Sequence, residues 1–182
     1  FGSNRKRGYT MTTAAIKKES HIVEYLLYVW QMEDVVRAAN FDVGALRSMF
    51  AGQEDDDLEW VLELSKTMQQ ERLEETGHAA HAQETLTEMA LLHDLLTGPM
   101  EDAAYVAAFQ AAEPLLNELN ERKMKGEFNH PVERMLTALY GWLVLRMRKE
   151  EVSLETEAAM VAIREMANAL AKGHLKIYTG SA

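Results

Sequence analysis

Apolar side chains recur at steps of three and four along almost the whole chain, and that period belongs to the α-helix. Ile22, Leu26, Val29 and Val36 form the first stripe, within a segment from about Lys17 to Ala39. Val23, Leu27 and Trp30 widen it, so this helix is expected to be buried around much of its circumference. Further stripes run through Leu58, Val61, Leu62, Leu64 and Met68; through Leu86, Met89, Leu92 and Leu96; and through Tyr105, Phe109, Leu116 and Leu119. Two more follow, Met135, Leu136, Leu139, Leu143 and Met147, then Ala159, Ile163, Met166 and Leu170. No β-branched alternating run competes with them. The expected fold class is all-α, a single-domain bundle of five to seven helices, mostly antiparallel and up-and-down.

Helix punctuation gives the boundaries. Ser20 is placed to cap the first helix, and Asn40 to end it. A short helix is expected over Val43 to Phe50, stopped by Gly52. Asp55, Asp56 and Asp57 precede the next stripe, with Asp56 and Glu59 in the spacing of a capping box. Such carboxylates satisfy orphan N–H groups and oppose the helix dipole, which explains this run better than a cation site does. Gly77 predicts a break or kink, and Gly98-Pro99 a clean stop. Pro114 sits inside the helix that follows, where it removes a backbone bond and predicts a kink. Gly126 is read as the end of that helix, Pro131 as the opening of the next, Ser153 as the cap of the last and Gly173 as its end. Residues 1–10, before Met11, have no apolar period and read as a disordered leader or cloning remnant. Residues 11–178 then form the bundle domain, with 179–182 as a tail.

Charge and composition exclude several functions. The 182 residues carry a net charge of -10, and an acidic surface repels both phosphate backbones and anionic lipid heads. Neither nucleic acid nor membrane is therefore expected as a partner. The basic leader, with Arg5, Lys6 and Arg7, reads as a solvated run. There is no Cys, so thiol nucleophiles, thiolate metal sites and disulfides are excluded together. The longest nearly apolar run, Met135 to Leu145, is far short of the ~20 residues a spanning helix needs. Lys17, Lys18, Glu19, His21 and Glu24 interrupt the stretch where a secretory signal would lie, so a cytoplasmic location is expected. Phosphate-cradling glycine loops, dinucleotide fingerprints, G-x-S-x-G and H-E-x-x-H are all absent, and no cofactor is indicated.

Two charges fall on apolar stripes. Extending Ile22, Leu26 and Val29 by four residues reaches Glu33; extending Val132, Leu136, Leu139 and Leu143 by three reaches Arg146. An unpaired buried charge is costly, so one reading pairs Glu33 with Arg146 across the bundle, beside Tyr140 or Tyr25. The other leaves both at the stripe edge with their heads in water. His78 and His81 are weak candidates for metal binding: they form H-x-x-H, and Glu75 to His78 reads E-x-x-H, as in carboxylate-bridged di-iron bundles. The second match, Glu127 to His130, falls in an expected loop, and the region around His78 is polar on all sides. His93, between Leu92 and Leu95, reads as a satisfied histidine at the core edge, and Trp30, Trp60 and Trp142 as core anchors.

The segment Ile22 to Asp34 (IVEYLLYVWQMED) resembles the opening of an uncharacterised family of small helical proteins of Bacteroidetes-type bacteria, domain of unknown function 4924. Gly77-His78, Leu91 to Leu96, Leu139-Tyr140-Gly141, Leu145-Arg146 and Ser153 to Glu157 fit the same pattern, so the resemblance covers nearly everything after Met11. It implies a bacterial origin and a helical fold, and it supplies no catalytic residues. The function expected from the sequence is a non-enzymatic protein-interaction module, binding another protein or itself. The alternative is a bundle with an internal small-molecule or metal site drawing on His78, His81, Glu33 or Arg146.

Overall fold

The computed structural model describes residues 11–123 and 130–180, apart from the side chains of residues 120, 122 and 123. The leader reading of residues 1–10 and the stop at Gly126 lie outside them. Eight α-helices follow one another: α1 (Thr13–Ser20), α2 (Ile22–Ala38), α3 (Val43–Met49), α4 (Asp55–Gln70), α5 (Ala80–Thr97), α6 (Ala103–Lys123), α7 (Pro131–Met147) and α8 (Leu154–His174). A π-helical turn, Leu175–Thr179, continues α8. The described residues contain no strand.

The expected range of five to seven helices is one short because the first segment is two helices. His21 is extended (φ -158, ψ 95), and its Nδ1 accepts the Glu24 N–H, so His21 rather than Ser20 caps α2. Ser20 instead donates its hydroxyl back to the Ile16 carbonyl. The separate helix α1 is fixed from outside: Asp57 accepts both the Thr13 N–H and its hydroxyl, each at 2.7 Å. Asp55, Asp56 and Asp57 fill the first turn of α4, where they oppose its dipole as expected. The capping box alone is corrected, since Glu54 precedes α4 without a side-chain cap bond and Asp57 serves the start of another helix. The break at Gly77 is present, with the connector 71–79 between α4 and α5 and Gly77 at φ +99. Ser153 and Pro131 stand where expected at their helix starts, and α6 runs on past Pro114.

Helix α2 is the shared wall of two apolar clusters. Its N-terminal half, through Ile22, Leu26 and Val29, packs with Met89 and Leu92 of α5, Leu136 of α7 and Ile163 of α8. Its C-terminal half, through Met32 and Val36, packs with Leu46 of α3 and Val61 and Met68 of α4. Tyr28 meets Trp60 at the seam, ring centroids 5.5 Å apart. Each fully buried Leu, Ile or Met contributes about 1.5–3 kcal/mol of transfer free energy, so these clusters and not the helix propensities hold the fold. No described helix is long and apolar enough to cross a membrane.

Candidate functional site

The two charges on apolar stripes have different environments, and the structure does not bring them together. Glu33 has no exposed surface. Its Oε2 lies 2.6 Å from His78 Nδ1, and its Oε1 accepts the Ala79 N–H at 2.9 Å. Ala79 precedes α5 and offers no side-chain cap, so Glu33 of α2, with Glu71 accepting the Ala80 N–H, satisfies orphan donors at the start of α5. The His78 ring stacks on Trp30 (4.3 Å, 13° between planes), and Tyr140 meets Trp30 edge-on. One turn along α2, Arg37 donates from Nε to the Leu73 carbonyl at 3.0 Å and also to the Gly77 carbonyl, while bonding Asp34 at 3.2 Å. Asp34 in turn accepts the Tyr140 hydroxyl; burial first, and that bond second, raise the phenol's pKa. Together these contacts clasp the connector 71–79 to α2 and leave both Glu33 oxygens occupied.

The pairing of Glu33 with Arg146 is therefore corrected: Glu33 found a nearer partner in His78. Arg146 is exposed, its guanidinium over the Trp142 ring at 4.7 Å. The H-x-x-H pair also separates, because His78 lies in the connector and His81 in the first turn of α5. His78 spends Nδ1 on Glu33, and no described cluster of potential metal ligands includes it or His81.

Arg146 opens onto a cleft of about 560 Å³ between the start of α2, the second half of α7 and α8. Val23, Leu27, Leu139 and Leu143 form its apolar floor. At the α7–α8 side stands Trp142, with Arg146 on one approach and the Arg164 guanidinium 5.2 Å from its ring centroid. The indole N–H donates to Glu157 at 3.2 Å, which fixes the ring. Among the described residues neither arginine has a carboxylate within ion-pair distance. The opposite end is polar: His21 Nε2 bonds Asn168 Oδ1 at 2.9 Å, and Lys17 screens Glu24 at 3.8 Å. Sequence reading missed Arg164 and Asn168, although Trp142 and Arg146 stand four apart on one helix face, a visible signal.

His93 is where the sequence placed it, at 5% exposure, with Nδ1 2.6 Å from the Tyr105 hydroxyl and Phe109 edge-on at 4.6 Å. Burial, and then the neighbouring His130, lower its pKa to about 4, against a small opposing pull from Asp94. His130 caps α7 by accepting the Val132 N–H at Nδ1, and its Nε2 donates to Asp94 at 3.1 Å.

A model of the family described as Domain of unknown function (DUF4924) matches residues 11–181. The chain belongs to that family. The match takes in all eight helices, with the clasp, the cleft and the His93 cluster inside it. No curated protein and no solved structure matches the chain. As a member of the DUF4924 family it inherits no assigned chemistry, so function is argued from the geometry above.

Proposed function

We propose that this protein is a non-catalytic binding bundle whose α2–α7–α8 cleft takes a small ligand bearing a carboxylate or phosphate beside a flat apolar group. The observation that carries the reading is the pair Arg146 and Arg164 drawn to one indole ring, without ion-pair partners among the described residues. Neither guanidinium spends its donors on a carboxylate among the described residues, and an anion in the cleft accepts those donors in a fork. The neighbouring Leu139 and Leu143 supply the apolar surface that most small-molecule sites use, and the volume lies in their usual range. We read the long helices as running up and down; the short connectors 98–102 and 148–153 support antiparallel neighbours.

The test is a titration of the full chain with phenyl phosphate, benzoate and inorganic phosphate, followed by the Trp142 indole N–H resonance. Shifts are expected with the two aromatic anions, and are expected to vanish in Arg146→Ala/Arg164→Ala while the rest of the spectrum stays folded. The proposal fails if no probe moves that resonance, or if the double variant responds as the parent does.

A second reading, a protein-interaction module, has its own observation. Leu91 and Leu95, one turn apart on α5, are 63% and 37% exposed. A concentration-dependent rise in mass that Leu91→Glu abolishes would move the function to that face.

A further inference from the structure

We propose that His93, Asp94 and His130 form a binding site for a divalent transition-metal ion of the zinc class, joining α5 to the start of α7. The donor atoms of these three side chains all lie within 4.8 Å of one another. A tetrahedral zinc ion with bonds of about 2.0–2.2 Å sets its ligands roughly 3.3–3.5 Å apart, so only small side-chain movements are required. One edge is already shorter than that: His130 Nε2 and Asp94 Oδ1 are 3.1 Å apart. Two imidazoles and one carboxylate suit zinc, cobalt or nickel, whereas calcium and magnesium demand oxygen ligands.

The surroundings favour a built site over a chance cluster. His93 is held at Nδ1 by the Tyr105 hydroxyl, itself 1% exposed, which leaves Nε2 as the donor. Such an outer partner fixes the orientation of a ligating histidine. Phe109 and His130 meet the His93 ring edge-on at 4.6 and 5.0 Å and restrict its rotation. The simpler reading, in which Asp94 and His130 only staple α5 to α7, accounts for their hydrogen bond but not for the convergence of His93. The cation replaces the proton that His130 Nε2 donates to Asp94. Because His130 Nδ1 accepts the Val132 N–H, the ring must then carry its proton on Nδ1, and that cap bond is given up. This exchange sets the site apart from a fully prepared one and points to moderate affinity.

The experiment is calorimetric titration of the chelator-stripped, tag-free full chain with Zn²⁺, alongside Co²⁺ followed by its visible absorption. One ion per chain is expected, with the intense bands of four-coordinate cobalt. His130→Ala and Asp94→Ala alter half-buried and exposed positions, and each is expected to weaken binding at least about tenfold with helicity unchanged. His81→Ala is expected to leave binding as it was. Asp94→Asn, which keeps the side-chain volume, replaces any variant that fails to fold. Absence of binding, binding that survives both His130→Ala and Asp94→Asn, or binding lost with His81→Ala each overturns the site. None of these readouts involves the α2–α7–α8 cleft.

Discussion

Glu33 and Arg146 occupy equivalent places in their helices, each on the extension of an apolar stripe, yet the fold treats them as opposites. Around Glu33 every acceptor is used: His78 and Ala79 take the two oxygens, and Trp30 covers the imidazole. Around Arg146 the charge is exposed and its one ring partner, Trp142, is shared with a second guanidinium. A buried charge with saturated partners holds the fold together, since its removal strands other polar groups. An exposed charge with no ion-pair partner among the described residues is available for recognition. The difference lies in the connector 71–79, which folds over α2 and reaches Glu33, while among the described residues nothing comparable covers α7 at Arg146.

The largest effect expected from breaking this comparison is at the clasp. Glu33→Ala leaves the Ala79 N–H without its acceptor and His78 without its partner, beneath a new cavity. A loss of about 3–5 kcal/mol is expected, from two stranded polar groups at about 1–3 kcal/mol each together with the cavity. Glu33→Gln retains an acceptor for Ala79 and is expected to cost less. Urea unfolding of both variants decides the matter, and a loss below about 1 kcal/mol for the alanine would show that the clasp is ornamental.

A second buried polar group sharpens the comparison by pH. In chelator-treated protein His93 stays neutral down to about 4, because burial and the adjacent His130 oppose its protonation. The same ring in the unfolded chain titrates near 6.5. Between those values the unfolded state binds a proton the folded state refuses, so stability is complete above pH 6.5 and falls as pH drops. The loss reaches about 3 kcal/mol by pH 4. Subtracting the profile of His93→Gln isolates this contribution from the carboxylates, and parallel profiles would contradict it. A smaller loss, about 1–2 kcal/mol, is expected for Asp57→Ala, which leaves the Thr13 N–H and hydroxyl without their acceptor while the Thr12 cap of α1 remains, and is read from a thermal melt.

The helical stripes were legible because a period of three to four is a local property. Pro131 and Ser153 were legible for the same reason, since a cap is written within a few residues. The first boundary shifted because His21 is extended between α1 and α2, and the contact from Thr13 to Asp57 that ties α1 to α4 lies in no window of sequence. The burial of Glu33 was legible from its register, but its partner was not, because His78 lies in a connector without apolar period. His130 had a signal, standing immediately before Pro131 at a cap position, yet Asp94 across the bundle could not be inferred from it. Arg164 was missed because its role appears only when α8 lies beside Trp142.

The smallest expected effect is the most discriminating. Had Arg146 neutralised Glu33, removing it would leave a buried carboxylate unpaired and cost several kcal/mol. The guanidinium instead lies exposed on Trp142, where a cation–π contact contributes about 0.5–1 kcal/mol. Arg146→Ala is therefore expected to lower the unfolding free energy by no more than about 1 kcal/mol, the scale of an exposed cation–π contact. Its effect belongs in binding: the affinity for phenyl phosphate is expected to fall about tenfold, the equivalent of about 1.4 kcal/mol. Stability and affinity would then separate at one residue while they coincide at Glu33. If Arg146→Ala instead destabilises the fold and leaves the titration unchanged, Arg146 belongs to the scaffold, and the cleft loses the residue that defines it.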